Sequence, residues 1–221
     1  MKILRFVNPK NLSVFAPSWE YFFSEKQLPG DSYFWKSLAD EILAREKIIT
    51  SNGESNHGGT MLSDDSLTSK HKNYNVLDWG TAETDVLFNM IHNYYLEILK
   101  KLGLPRINCW IKCWANVMRP GEQIQKHMHD SSAESYLSGH ICVQTNGTKT
   151  HYLVSYDQAD DTQTYDSNNV VGKCSLFQSC IPHFTSKVAA GDVRITIAFD
   201  IFISKREGHK LIVFDEKEIS N

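Results

Sequence analysis

Residues 175–203 read SLFQSCIPHFTSKVAAGDVRITIAFDIFI, and the end of this stretch decides the fold class. From residue 193 onward, two sets of residues alternate. The first set is entirely apolar and consists of Val193, Ile195, Ile197, Phe199, Ile201 and Ile203. The second set is Arg194, Thr196, Ala198 and Asp200. Because successive side chains of a β-strand point to opposite faces, the alternation predicts a strand over 193–203 with one apolar face.

The same period of two runs through the second half of the chain, from Ile107 onward, where β-branched and aromatic residues dominate. This pattern predicts strands at 107–118, 123–129, 137–145, 149–156, 174–178, 181–188 and 193–203. Many short strands in succession are typical of an antiparallel sandwich or barrel.

The first half of the chain has helical periodicity instead. Apolar residues recur at steps of three and four over 33–47, which predicts an amphipathic helix. A wider apolar stripe at 86–99 predicts a second helix, which Thr81 or Thr84 caps and Gly103 ends. Because amphipathic helices need a surface to cover, we predict a mainly β, α+β fold with N-terminal helices packed outside one sheet.

The 221 residues fit a single domain over 1–221. Within this domain we distinguish a helical part at 1–106, a β core at 107–203 and a C-terminal tail at 204–221. The connection at 51–80 is rich in Ser, Asn, Gly and Asp and is too long for a plain connector. We therefore expect a lid-like loop that gates the substrate.

Composition and charge exclude several classes of protein. The chain has 23 Lys and Arg against 26 Asp and Glu, whereas phosphate-backbone binding calls for a basic balance, so we expect no nucleic-acid partner. The first residues lack the apolar run of a secretory signal, and no apolar stretch reaches the ~18 residues of a membrane span. We expect a soluble, cytoplasmic protein. The 5 cysteines form no C-x-x-C pair and are read as reduced thiols.

Two histidines lie two residues apart in QIQKHMHDSS at 123–132. On a strand, His127 and His129 would project from the same face, which is the geometry of a chelating pair. A solvated, polar strand end would show the same short pattern by chance. This motif alone leaves both interpretations open.

The position of Arg194 also allows two interpretations. Either the apolar face of its strand points inward and Arg194 lies in water, or the helices cover the apolar face and Arg194 and Thr196 point into the barrel. A buried guanidinium must be paired with an anion to offset its desolvation. In the second case a dicarboxylate ligand would supply that anion.

Three segments together resemble a known family. WANVMRPGEQIQKHMH at 114–129, YLSGHICV at 136–143 and the stretch at 175–203 are similar to the iron(II)/2-oxoglutarate-dependent oxygenases, in particular their prolyl-hydroxylase-like branch. The similarity extends to SNHGGT at 55–60. The resemblance implies the double-stranded β-helix fold of that family, which is a cupin-like jelly roll, for the core at 107–203.

The resemblance also implies a site. His127, His129 and His183 would hold Fe(II), and Arg194 with Thr196 would bind the distal carboxylate of 2-oxoglutarate. Separately, alternation places Lys112 and Asn116 on one face of the strand at 107–118. Either could reach the co-substrate or substrate, although a solvent-facing lysine is equally consistent with this face; Asn116 is the candidate retained for contact with the co-substrate. The implied activity is a dioxygenase reaction with O₂, which couples oxidative decarboxylation of 2-oxoglutarate to hydroxylation of a small-molecule or peptidyl substrate.

The metal motif departs from the family's commonest pattern at one position. That pattern is H-x-D/E, which gives a face of two histidines and one carboxylate, whereas His129 occupies the second position here. The neighbouring Asp130 would point away from His127 unless a bulge intervenes. We therefore prefer three histidine ligands and retain Asp130 as the alternative.

Two other functions remain open from the sequence. One is a cupin-type oxygenase or isomerase with a three-histidine metal and no 2-oxoglutarate, which would have no need of Arg194. The other is a non-catalytic jelly-roll binding protein in which the histidines are incidental.

Overall fold

The computed structural model describes residues 1–7, 14, 19–53, 55, 60–129, 132, 134–145, 147–154 and 163–212. The two long helices are α1 (Ser32–Thr50) and α2 (Ala82–Leu102), and short 3₁₀ turns lie at His71–Asn73 and Val76–Asp78. The strands are β1 (Lys2–Val7), β2 (Glu20–Gln27), β3 (Cys109–Met118), β4 (Ser135–Gln144), β5 (Lys149–Leu153), β6 (Thr164–Asn168), β7 (Lys173–Gln178), β8 (His183–Thr185), β9 (Arg194–Phe202) and β10 (Lys210–Ile212).

The strands form two antiparallel sheets. The large sheet has the order β1-β2-β7-β4-β9-β3-β10, and the small sheet has the order β6-β5-β8. At the centre of the large sheet, β9 lies between β3 and β4, so Thr196 is opposite both Asn116 and Cys142. A buried cluster that includes Phe23, Tyr152 and Phe177 joins the two sheets. The mainly β architecture and the predicted jelly-roll fold are confirmed.

Both long helices cover the outer face of the large sheet, as predicted. α2 begins with a capping box, in which the Thr81 hydroxyl accepts from the Thr84 N–H and the Thr84 hydroxyl accepts from the Thr81 N–H. α2 ends at Gly103, whose φ of 65° is left-handed. Buried residues of α1 and α2, such as Leu38 and Ile91, belong to one apolar cluster with sheet residues such as Ile197. None of the described helices is long and apolar enough to cross a membrane.

Parts of the predicted layout are wrong. The N-terminal part is not purely helical, because β1 and β2 extend the large sheet beyond β7. The tail at 204–221 contributes β10, which pairs with β3, and β6 was not predicted. No regular strand covers 123–129, where only an isolated bridge joins His127 to His183. These elements are short or lack clean alternation, and their pairing depends on partners that are distant in sequence.

The segment at 51–80 is more than a surface loop. Leu67, Val76 and Leu77 are buried in the main apolar cluster. The Tyr74 hydroxyl donates to the Ala115 carbonyl at 3.2 Å and accepts from the Ala115 N–H at 3.0 Å, which fixes the segment against β3. Most of SNHGGT, residues 56–59, lies outside the described residues. Substrate gating by this segment stays a prediction.

Candidate metal and co-substrate site

The three histidines of the predicted metal site converge. His127 lies in extended chain after β3 and forms a two-way bridge with His183 at the start of β8, with N–H to carbonyl distances of 3.0 and 2.8 Å. The His129 N–H donates to the Ser179 carbonyl at 3.3 Å. These backbone bonds hold one ring nitrogen of each histidine within 4.8 Å of those of the other two. A cluster of this size suits a single metal ion.

Hydrogen bonds also orient the three imidazole rings. Nδ1 of His127 lies 2.8 Å from the Gln125 carbonyl, and Nδ1 of His183 lies 3.0 Å from the Ile181 carbonyl. Nδ1 of His129 lies 2.6 Å from a carboxylate oxygen of Asp200. Since each Nδ1 faces an acceptor and donates its proton there, each Nε2 carries the lone pair that a metal requires.

Burial keeps the imidazoles of His127 and His183 neutral. Desolvation, together with repulsion from His129, lowers the pKa of His127 to about 4. The same two causes, with desolvation the larger and the repulsion coming from His127 and His129, hold the pKa of His183 well below its usual range. A histidine binds metal only in its neutral form, so this environment favours ligation at neutral pH.

Arg194 points into the barrel, which settles the two interpretations of its strand. The residue is only 2% exposed. Its guanidinium donates to the Thr150 hydroxyl at 3.2 Å and approaches the Met118 sulfur at 3.9 Å, while Nε has no hydrogen-bond partner among the described residues. Burial lowers the pKa of Arg194. No described carboxylate forms an ion pair with this buried cation, so the site calls for an anionic ligand.

Asn116 and Thr196 form the wall beside Arg194. They lie opposite each other on β3 and β9, and Asn116 Nδ2 is 3.4 Å from the Thr196 hydroxyl. The Thr68 hydroxyl, from the segment that packs against β3, donates to Asn116 Oδ1 at 2.7 Å. Both Asn116 and Thr196 are buried. Their side chains are therefore held in place before any ligand arrives.

One cavity of about 370 Å³ brings all the predicted site residues together. The lining includes His127, His129, His183, Arg194, Thr196 and Asn116. A second cavity of about 650 Å³ shares five lining residues with the first: His71, Lys72, Trp114, His129 and Asp200. The two cavities are therefore neighbours on either side of this shared wall. Asp130 lies outside the described residues.

Two further residues were not assigned to the site from the sequence. Asp200 contacts His129 although 71 residues separate the two in the chain. His140 on β4 is buried in the cavity wall, with Nδ1 3.0 Å from the Tyr152 hydroxyl and Nε2 without a partner among the described residues. Burial, aided by the charge of Arg194, lowers the pKa of His140 to about 3. Alternation on a strand signals which face each residue occupies, but not these contacts.

The residues present fit iron and a dicarboxylate co-substrate. Imidazole nitrogens are suitable ligands for iron, and three of them converge here. The buried Arg194 offers a planar fork of donors, which matches a carboxylate.

Comparisons with known proteins agree with this geometry. Residues 112–200 match a family model described as "Putative 2OG-Fe(II) oxygenase". A search of curated proteins found no relative by sequence.

Several solved structures share the fold. One is a Pseudomonas putida prolyl-4-hydroxylase, with 15% identity, a TM-score of 0.56, and coverage of 83% of this chain and 93% of that chain. A second is a prolyl hydroxylase in complex with a hypoxia inducible factor peptide fragment from Trichoplax adhaerens, with 14% identity, a TM-score of 0.56, and coverage of 90% and 86%. A third is the nickel complex of the non-heme monooxygenase ThoJ, with 11% identity, a TM-score of 0.60, and coverage of 89% and 82%.

The family match spans all six residues that the sequence assigned to the site. The resemblance found in the sequence is therefore confirmed: residues 112–200 match the 2OG-Fe(II) oxygenase family, and this match indicates an oxygenase and implies Fe(II) and 2-oxoglutarate as its cofactors.

Proposed function

We propose that the protein couples oxidative decarboxylation of 2-oxoglutarate to hydroxylation of a small-molecule or peptidyl substrate. In this proposal His127, His129 and His183 hold Fe(II), and Arg194 with Thr196 and Asn116 binds the distal carboxylate of 2-oxoglutarate. The observation that carries the proposal is the buried Arg194, which lacks a carboxylate partner among the described residues and lines the same cavity as the three histidines.

Each part of the site has a separate task in the reaction. When bound, Fe(II) with 2-oxoglutarate supplies the O₂ chemistry that yields succinate, CO₂ and an oxidised substrate. His127, His129 and His183 would hold the metal through their Nε2 atoms. Arg194 would bind the distal carboxylate of 2-oxoglutarate, because its planar fork of donors matches a carboxylate. The Thr196 hydroxyl and the Asn116 amide are positioned to contact the same carboxylate.

The protein also orients the substrate and excludes water. Trp114 stands between the two cavities, and its ring centroid lies 5.3 Å from that of His129. Phe177 packs edge-on against His183 from the sheet interior, with 5.0 Å between the ring centroids. These rings give the histidines an apolar surrounding, which limits water at the reacting centre. A substrate that enters through the larger cavity would meet the metal beside Trp114.

The two rival functions explain the geometry less well. A three-histidine cupin enzyme without 2-oxoglutarate has no use for a buried arginine with no carboxylate partner. A metal-free binding protein has no use for three convergent Nε2 atoms whose Nδ1 partners are all satisfied.

The direct test is calorimetric titration of 2-oxoglutarate into Ni(II)-loaded protein, with metal-free protein and succinate as controls. We expect one-to-one binding of 2-oxoglutarate that depends on the metal, and slow formation of succinate when Fe(II) and O₂ replace Ni(II). Metal binding without any 2-oxoglutarate binding would favour the cupin-type enzyme. Absence of both would favour the binding protein.

A further inference from the structure

Asp200 on β9 contacts the histidine cluster directly, and the proposed function does not use it. One carboxylate oxygen of Asp200 lies 2.6 Å from Nδ1 of His129 and accepts a second hydrogen bond, also 2.6 Å, from the Ser138 hydroxyl. The side chains of His129 and Asp200 are 5% and 13% exposed. The pair is therefore largely shielded from water. In such a buried environment, a charge acts over a longer distance than at the surface.

The surroundings of Asp200 leave His129 as its partner. Lys112 lies opposite Asp200 on β3, but the Lys112 ammonium donates to the Lys72 carbonyl at 2.9 Å. None of the described lysine or arginine side chains forms an ion pair with Asp200. Ser138, whose hydroxyl also lies 2.9 Å from that of Ser179, holds the carboxylate in place. The carboxylate is thus fixed towards the imidazole ring.

The charge balance of the site indicates a role for the contact between Asp200 and His129. Three neutral imidazoles bring no negative charge to a divalent metal, and the nearby Arg194 adds a positive one. Metal sites with two histidines and one carboxylate receive a negative charge directly from a ligand. Asp200 places a carboxylate one imidazole ring away from the position that His129 Nε2 would ligate. A carboxylate on Nδ1–H raises the basicity of Nε2 and fixes the ring's orientation.

We infer that Asp200 is a positioning residue that supplies the carboxylate of this metal site from outside the coordination sphere, through His129. This inference rests on the proposed metal site. It assigns to Asp200 two effects: orientation of the His129 ring, and stabilisation of the metal by a negative charge that the three ligands lack.

The test uses Asp200→Asn, which keeps the size and one acceptor oxygen but removes the charge. We expect Ni(II) and Co(II) affinity to fall about 10- to 100-fold. We also expect the Fe(III)/Fe(II) potential to rise, because the oxidised ion loses more stabilisation than the reduced one when a nearby negative charge is removed. A merely structural role for Asp200 would not move the potential of the folded, metal-loaded protein.

The chain offers a matched control in Asp166→Asn. Asp166 forms the same kind of contact with a histidine, 2.7 Å from Nδ1 of His151, but neither residue lines the histidine cavity. Asp166→Asn should leave the metal affinity and the potential unchanged. Ser138→Ala removes a hydrogen bond from Asp200 and keeps the charge, so its effect on the potential should be smaller than that of Asp200→Asn.

His129→Ala separates failure of this inference from failure of the proposed function. If His129→Ala binds metal as well as the parent protein, the three-histidine site is wrong and the role of Asp200 falls with it. If His129→Ala loses the metal while Asp200→Asn keeps both affinity and potential, only the role of Asp200 is overturned. Circular dichroism and thermal unfolding of each variant identify any that fail to fold.

Discussion

At the start of β9 the two faces of the strand are similarly buried and have opposite chemistry. On the outer face, Ile195 and Ile197 are 0% exposed and pack with the helices; on the inner face, Arg194 and Thr196 are 2% and 1% exposed and line the cavity. Burial of the outer face stabilises the fold at roughly 25 cal/mol per Å² of apolar area. Burial of a guanidinium costs free energy unless an anion pairs with it. Similar burial therefore has two meanings on this strand: the outer face belongs to the apolar core, and the inner face forms a binding site that requires an anionic ligand.

Among changes to residues that line the cavity, loss of a metal-site histidine should have the largest effect. His183→Ala should weaken Ni(II) binding by more than ~100-fold, since loss of a ligand exceeds the effect of losing a residue that only supports one. Calorimetry measures this loss. His151→Ala is the control, because His151 pairs with Asp166 on the small sheet away from the cavity, and it should leave binding intact. Normal metal binding by His183→Ala would place the metal elsewhere.

The next effect concerns Arg194 and the dicarboxylate. Arg194→Ala should weaken 2-oxoglutarate binding by at least ~30-fold, because a buried charge-assisted pair is typically worth ~2–5 kcal/mol, and Arg194→Lys should recover only part of the loss. Metal content should not change.

A truncated ligand makes the Arg194 prediction sharper. 2-Oxobutyrate keeps the keto acid but lacks the distal carboxylate, so the parent protein should bind it much more weakly than 2-oxoglutarate. In Arg194→Ala the two ligands should bind almost equally. A preference for 2-oxoglutarate that survives in the variant would show that another residue binds the carboxylate.

The outer face of β9 was easier to predict than the site. Strict alternation over 193–203 predicted both the strand and the two faces, and the motifs predicted the histidines and Arg194. The contacts of Thr68 with Asn116 and of Asp200 with His129 join residues 48 and 71 positions apart. No local pattern encodes such pairs, because they depend on how distant segments pack. The H-x-H motif faces inward although it lies outside a regular strand.

Acid should destabilise the protein through the buried histidines of the cavity. Burial lowers the pKa of His127 to about 4 and that of His140 to about 3, both below the usual value of 6.5. A histidine whose pKa is lower in the folded state stabilises the fold in full above pH 6.5, and this contribution is lost as the pH falls towards the folded-state pKa. The free energy of unfolding of the metal-free protein should therefore drop between pH 7 and pH 5, on the order of 2 kcal/mol for each of the two histidines.

Urea unfolding at several pH values measures this dependence. His140→Gln, which keeps a polar amide and removes the titrating ring, should flatten the profile below pH 6.5. His209→Gln is the control, because His209 is half-buried at the surface end of the second cavity and should contribute less. An unchanged profile in His140→Gln would mean that the buried ring of His140 does not contribute to acid sensitivity.

The smallest effect should come from a matched pair of changes on neighbouring positions of β9. Ile197→Val removes one buried methylene from the outer face and should lower the free energy of unfolding by about 1 kcal/mol. It should leave 2-oxoglutarate affinity unchanged, since Ile197 packs with the helices.

Thr196→Val keeps the shape of the side chain but removes the hydroxyl that faces Asn116 Nδ2 at 3.4 Å. It should weaken 2-oxoglutarate binding while the unfolding free energy changes by less than about 1 kcal/mol, because a contact of this length contributes little to stability. If both changes alter stability and binding together, the two faces are coupled through the strand, and burial on the inner face also serves the core.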